Sequence, residues 1–307
     1  MSLTAAAPPT RRALDVEWLT LGLILACHAG LAAAVCWLWA VAPVLALLVV
    51  TVLMVLHSSL THEALHGHPF RSRRLNEALM SVPVGLFVPY ARFRDLHLAH
   101  HRDANLTDPY DDPESNFLDP EVWDRLPGWR RALLGFNNTL FGRITIGGIL
   151  GQVGFMIAEA REIRAGAPGV ARVWLVHLAG VAAVLWLVSR TPMPLWAYGL
   201  CAVMALSVLR IRTFLEHRAH EKSRARSVIV EDRGLLAFLF LNNNLHAVHH
   251  MNPNVPWYAL PALYRSGRDR FLAYNGDYRY RSYGEVFRRH FWRAKDPVPH
   301  PLWRRRG

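Results

Sequence analysis

The chain has 307 residues, of which 52% are apolar and 19% charged, with 16 histidines and a formal charge of +12. So apolar a composition excludes a disordered chain, and three cysteines (Cys27, Cys36 and Cys201), all inside apolar runs, read as packing residues and exclude a disulfide scaffold. Lys222 and Lys295 are the only lysines, so the positive charge is arginine, suited to nucleic acid, anionic lipid or an acidic protein.

Taken in chain order, Leu19–Trp39 is the first long uncharged run. Arg11 and Arg12 precede it and Ala32–Ala34 lie within it, a pattern that resembles a secretory leader. The run continues to Trp39, too long for a leader's apolar core, so it is predicted to be retained. Further runs at Ala42–Leu60, Trp174–Ser189 and Met193–Leu209 bring the total to four, against the roughly 20 apolar residues a bilayer core needs. Proline-bearing turns, at Pro43 and at Arg190–Pro194, join them into two hairpins. Ile144–Ala158 is short, carries Gln152 and follows Arg143, so it is expected to be interfacial or re-entrant; Leu75–Tyr90, broken by Pro83, is read the same way. Of the basic residues only Arg190 falls in a hairpin turn, which places both termini and the segments 61–172 and 212–307 in the cytoplasm, by the arrangement of a bacterial inner membrane. No internal repeat or linker divides the chain. The expected fold is therefore all-α and integral to the membrane: one domain, 1–307, with four transmembrane helices in two hairpins under a cytoplasmic cap lined with histidine.

The histidines are clustered on that side. HEALHGH holds His62, His66 and His68; HLAHH holds His97, His100 and His101; HAVHH holds His246, His249 and His250; His217 and His220 follow the fourth run. Positions i, i+3 and i+4 share a helix face, so HxxxH offers two imidazoles to one point and HxxHH offers three. A lone HxxxH is more often surface or capping chemistry, but three boxes on one side of one membrane have no economical packing explanation. Eight histidines are too many for one metal ion and suit two. From Pro43 to His66 and from Pro194 to His217 are equal lengths of chain, about 35 Å if helical, just beyond a 30 Å core; His217 is thus the predicted ninth ligand and His220 its understudy. Neutral imidazoles need acceptors to fix their tautomers, and among Asp103, Asp108, Asp111, Asp112 and Glu114 the residue nearest a box is Asp103. The competing reading of that acidic run is a solvated turn with Asx caps around Pro109 and Pro113.

These motifs resemble the three histidine boxes of the integral-membrane fatty acid desaturases, a superfamily that includes membrane hydroxylases and carotenoid ketolases. HEALHGH, HLAHHRD and NNNLHAVHHMNPNVPW match in order, with a helix pair between the second and third, and RTFLEHR is similar to the family's extra ligand region. The resemblance runs from about Val52 to Tyr264. It implies a diiron centre held by His62, His66, His97, His100, His101, His246, His249 and His250, with His217 as ninth. It also implies an asparagine near the site, for which Asn242, Asn243 and Asn244 are all candidates; helix capping is the alternative for all three.

What the resemblance implies chemically is O2-dependent removal of hydrogen from a methylene of a lipid or acyl chain, ending in a double bond, or in an oxygenated carbon in a hydroxylase or ketolase. Ligand type alone would permit zinc; redox work on an unactivated chain requires iron. Electrons are expected from a separate ferredoxin- or cytochrome-like protein. Arg71, Arg73, Arg74 and Arg304–Arg306 are expected at anionic headgroups, and Ser282–Lys295 as an interfacial helix. Nucleic acid is not expected as a partner, since no binding motif accompanies the charge. A metal-binding or transport protein is the rival class, but it would place ionisable residues midway through spans, where only His28 and His177 lie.

Overall fold

The computed structural model describes residues 16–102 and 105–303. Asp103, Arg11, Arg12 and Arg304–Arg306 lie outside them. The protein is mostly helical, and five of its helices are long and apolar enough to cross a membrane.

Helix α1 (Trp18–Val41) contains one i→i+5 turn at Ala34–Leu38. Ala42 breaks the helical path at φ −148° and ψ 73°, and α2 (Pro43–Leu65) starts on a proline whose fixed φ and absent N–H suit a first helical turn. After two short cap helices, α3 (Arg73–Met80) and α4 (Tyr90–Arg102), the chain makes α5 (Pro120–Arg125), α6 (Gly128–Asn137) and α7 (Leu140–Arg164). The second apolar pair is α8 (Val170–Val188), entered through left-handed Gly169, and α9 (Leu195–Thr213), entered from Pro194. The remainder folds as short helices, α10 (Leu235–Leu239), α11 (His246–Met251), α12 (Leu260–Ser266), α13 (Arg268–Tyr274) and α14 (Tyr283–His290). A two-residue parallel pair, β1 (Ile229–Val230) with β2 (Arg279–Tyr280), ties them together.

The core lies where α2 packs between α1 and α9. Ala197, Cys201 and Ala205 form a buried small-residue stripe on α9, which lets the helix axes approach closely. The Cys201 thiol donates to Leu47 O at 3.5 Å, and the Cys27 thiol to Leu53 O at 3.3 Å, so both cysteines do pack between helices, and all three thiols are free.

Two segments differ from a plain two-hairpin bundle. Ile144–Ala158 belongs to the 25-residue α7, because Leu140–Arg143 and Glu159–Arg164 extend the helix at either end. The expectation of a short apolar piece is thereby corrected: polar flanks concealed the helix length. Both ends of α7 nevertheless contact the histidine-bearing side. Phe141 N donates to Phe291 O beyond α14, while Glu159 takes a two-bond ion pair from Arg92 on α4 (2.6 and 2.7 Å) and the Trp174 indole N–H at 2.8 Å. Leu75–Tyr90 is helical only to Met80, and its remaining backbone dips into the bundle. There Tyr198 Oη donates to Val84 O (2.8 Å), His177 Nε2 to Leu86 O (2.9 Å) and Gln152 Nε2 to Phe87 O (3.1 Å). Irregular backbone among apolar helices survives when its carbonyls are answered this way.

Candidate metal centre

The regular elements deliver most of the histidines. His62 occupies the last turn of α2 and His66 is its C-cap; α4 carries His97, His100 and His101. α9 ends at Thr213, so His217 is reached by irregular chain rather than by continued helix, and the matched helix lengths inferred from sequence do not hold for it. It is held instead by a backbone bridge to Ser227 and by Lys295, whose ammonium donates to His217 O at 2.6 Å. α11, with His246, His249 and His250, follows a turn in which Leu241 and Asn242 both take positive φ (49° and 57°).

All nine rings meet, in two groups. His62, His66, His97, His101 and His249 form one; His100, His217, His246 and His250 form the other; within each, the ligand nitrogens lie within 4.8 Å of one another. The expectation that HxxHH aims three imidazoles at one point is corrected. Each i,i+4 pair stays together (His62 with His66, His97 with His101, His246 with His250), while the i+3 ring of each HxxHH joins the opposite group. One residue of helical rotation is about 100°, enough to separate His100 from His101. The groups abut where His101 stacks on His250, ring centroids 4.2 Å apart.

The ring nitrogens face one another at ligand spacing. Nε2–Nε2 separations are 3.1 Å for His66–His97, 3.2 Å for His101–His249, 2.9 Å for His100–His217, 3.1 Å for His217–His246 and 3.0 Å for His246–His250. Two nitrogens bound at about 2.1 Å to one ion, at a right angle, would stand about 3.0 Å apart. His62 Nε2 is buried with no hydrogen-bond partner among the described residues. Protons cannot satisfy this set: His246 Nε2 has one lone pair yet faces two other Nε2 atoms. The residues therefore fit two cations.

The other ring nitrogen is used for orientation. His97 Nδ1 donates to Glu114 (2.8 Å), His100 Nδ1 to Asp112 (2.7 Å) and His246 Nδ1 to Asn243 Oδ1 (3.0 Å), while Ser227 Oγ lies 3.2 Å from His217 Nδ1. Asp112 is fixed in turn by the backbone N–H groups of Thr107 and Glu114. Burial, followed by the neighbouring imidazoles, holds His66, His246, His249 and His250 well below the usual histidine range; for His217 burial and His100 do the same. Burial with His97 and His100 lowers His101 to about 3. His100 goes the other way: burial opposes its charge, but the Asp112 hydrogen bond and Glu114 raise it to about 9. Neutral imidazoles with fixed tautomers are what a metal ligand set requires.

Of the other sequence candidates, Asn243 is at the site, bonded to His246 and, at 3.5 Å, donating to Glu216. No side chain caps α11, and Asn242 and Asn244 bond to Trp257 O and Val230 O instead. His220 stands outside both groups, where its Nδ1 accepts the Lys222 N–H. Of the acidic run offered by the sequence, Asp112 and Glu114 supply the acceptors, whereas Glu216 and Ser227 were not among its candidates. Glu216 adjoins His217 and pairs with Arg212 at 2.9 Å, a signal its position offered. The VPW continuation also acquires a reason: Trp257 N donates to Glu63 Oε2 at 3.0 Å, locking the first box to the third.

Two openings flank the histidine groups, and one of them is lined by ligand histidines. On the bundle side, a narrow cavity of about 100 Å³ between α2, the Ser81–Tyr90 segment and α9 is lined by Met54, His57, Thr61, Phe93 and Leu206. Phe93 in turn packs on His97, ring centroids 5.6 Å apart. On the opposite side, a 410 Å³ depression exposes His66, His101 and His250 among Arg71, Arg73 and Arg102.

Residues 37–282 match the family described as fatty acid desaturase. The chain is also 25% identical over 223 residues, 68% of its own length and 73% of the relative's, to a beta-carotene ketolase from Paracoccus sp. (strain N81106 / MBIC 01143). With its apolar helices and its paired histidine groups, the chain belongs to the fatty acid desaturase family of membrane oxidoreductases.

Proposed function

We propose that the protein is an O2-dependent diiron oxidoreductase that desaturates an acyl or lipid chain. One iron would be held by His62, His66, His97, His101 and His249, the other by His100, His217, His246 and His250. Bound there, iron supplies the redox reactivity toward O2 that zinc lacks and that an unactivated C–H bond demands. The observation that carries the reading is the convergence of nine imidazoles, lone pair to lone pair, beside an apolar cavity. In this reading the cavity takes a few methylenes of the chain past Thr61 and Phe93. Glu114, Asp112 and Asn243 keep the Nδ1 proton on His97, His100 and His246 and so direct Nε2 inward. Loss of two hydrogens as O2 goes to two waters consumes two electrons and two protons, supplied by a separate ferredoxin- or cytochrome-like protein. The solvent-facing depression beside Arg71 and Arg102 suits its approach.

In the same reading the chain is one domain that crosses the membrane four times, as α1, α2, α8 and α9, with the histidines on the cytoplasmic side of a bacterial inner membrane. α7 then lies along the cap, because an even number of crossings between second and third boxes is needed for both to share a centre, and both of its ends contact the cap. Oxygenation is the second reading, favoured by the similarity to a ketolase. Expression in a bacterial host supplied with O2, followed by mass spectrometry of extracted lipids and pigments, tests both. Products lighter by two hydrogens support desaturation, and products carrying an added oxygen support the second reading. Unchanged extracts from a host holding iron-loaded protein and a competent donor would refute both.

A further inference from the structure

A groove of about 740 Å³ runs along the outside of α8, with the Ser81–Arg94 segment as its other wall. Its floor is fixed by the His177–Leu86 hydrogen bond and by Gly180, where an added Cβ would come within 3.1 Å of Pro83. Along most of its length it is apolar, through Val173, Val176, Val184 and Leu187. Its end on the histidine side is not: Arg73, Arg94, Arg172 and Glu77 converge there. Arg94 is spent on Glu77 and Asp95 (3.1 and 2.8 Å). Arg73 and Arg172 are exposed and have no acidic partner among the described residues, so the groove ends in uncompensated positive charge.

We propose that this groove binds an anionic phospholipid from the leaflet on the histidine side, its phosphodiester between Arg73 and Arg172 and one acyl chain along α8. Charge complementarity selects the headgroup, since two unpaired guanidiniums at the edge of an apolar surface attract a phosphate and gain nothing from a zwitterion's net charge. Length selects a lipid over a soluble phosphate. From Arg172 to Leu187 is 15 residues, about 22 Å at helical rise, close to half of a bilayer measured with its headgroups. None of the nine clustered histidines lines the groove, although Arg73 also borders the depression beside His66 and His101, and lipid binding there does not depend on the proposed reaction. Its wall at Ser81, Val82, Pro83 and Tyr90 is shared with the inner cavity, so a chain bound here lies one layer of backbone from it.

The test is native mass spectrometry of the full-length protein, purified from nanodiscs holding equal amounts of phosphatidylglycerol and phosphatidylcholine with matched chains. The wild type retains phosphatidylglycerol preferentially. At about fivefold per arginine, the Arg73→Ala/Arg172→Ala variant loses about twenty-five-fold of that preference, while Arg74→Ala, outside the groove, keeps it. Val176→Trp, at a lipid-facing position, lowers retention of phosphatidylglycerol by filling the groove without touching the charge. Retention of both lipids in the proportion supplied would overturn the site. So would an unchanged preference in the double arginine variant, or unchanged retention in Val176→Trp. Displacement of the lipid by glycerophosphoglycerol alone would reduce the site to a headgroup contact and overturn the groove.

Discussion

The five-histidine and four-histidine groups do the same geometric job by different means. Four of the five come from long or regular helices, α2 and α4, whose packing fixes the ring directions. The group of four draws His217 from irregular chain and His246 and His250 from a six-residue helix. There the rings are steadied by polar partners: Asp112 on His100, Ser227 on His217 and Asn243 on His246, against Glu114 on His97 in the larger group. For His217 and His246, which no long helix places, a hydrogen bond to the outer nitrogen fixes the ring.

The largest expected effect separates the groups by ligand count. His249→Ala leaves four imidazoles in the larger group, a complete tetrahedral set, whereas His246→Ala leaves three in the smaller. Elemental analysis of purified variants should find His249→Ala near the wild-type metal content and His246→Ala lower by about one ion per chain, with product formation lost in both. Equal metal loss in the two variants would break the comparison. A thermal melt of each guards against simple misfolding.

Acid comes next. His66, His101, His217, His246, His249 and His250 are held below their usual range, His101 at about 3. An unfolded histidine titrates near 6.5, so between that value and the lowered ones the unfolded chain binds more protons. These six therefore contribute stability that is complete above about pH 6.5 and lost as pH falls. His100, raised to about 9, has the opposite sign: its contribution is present below 6.5 and disappears as pH rises through 9. Denaturant melts of the metal-free protein at pH 8, 6.5 and 5 should show the larger set winning, with the midpoint falling toward acid. A midpoint that rises on acidification would mean that the rings are not buried together.

How much of this was legible in the sequence follows from what each signal depends on. The boxes declare themselves because i,i+4 spacing is local, and the apolar runs because composition is local. The partition of each HxxHH between two groups depends on where three separate helices meet, which spacing within one box cannot encode. Asp112 and Glu114 sit in a loop that folds back on α4, and a loop has no period from which to infer direction; Asp103, nearer in sequence, was the natural choice and lies outside the described residues. α7 was hidden because Arg143 and Glu159, which end its apolar run, are buried and paired rather than helix-terminating.

The two carboxylates that orient the second box give the third prediction. Replacing an acceptor on a ligating histidine costs about 10–100-fold in metal affinity or activity. Asp112→Asn should lie at the upper end and Glu114→Gln at the lower, because the Asp112 side chain is 1% exposed and that of Glu114 is 31%, where water can replace it. Chelator competition on the two variants measures the ratio; a reversed order would show that the larger group leans on its single carboxylate more than helix packing implies.

The smallest effect is the sharpest probe of how irregular chain holds a ring. Ser227 meets His217 twice, by the backbone bridge and by a 3.2 Å contact between hydroxyl and Nδ1. Ser227→Ala removes only the second, a neutral hydrogen bond worth about 1 kcal/mol, or about fivefold in affinity. If the bridge and the Lys295 contact to His217 O set the ring's position, the variant keeps its metal content and loses about fivefold in affinity for the ion of the four-histidine group alone. A loss as large as that of Asp112→Asn would mean that the hydroxyl, rather than the backbone, decides which tautomer His217 presents. The irregular segment would then depend on side-chain chemistry alone, and the contrast between the two groups would be greater than their hydrogen bonds indicate.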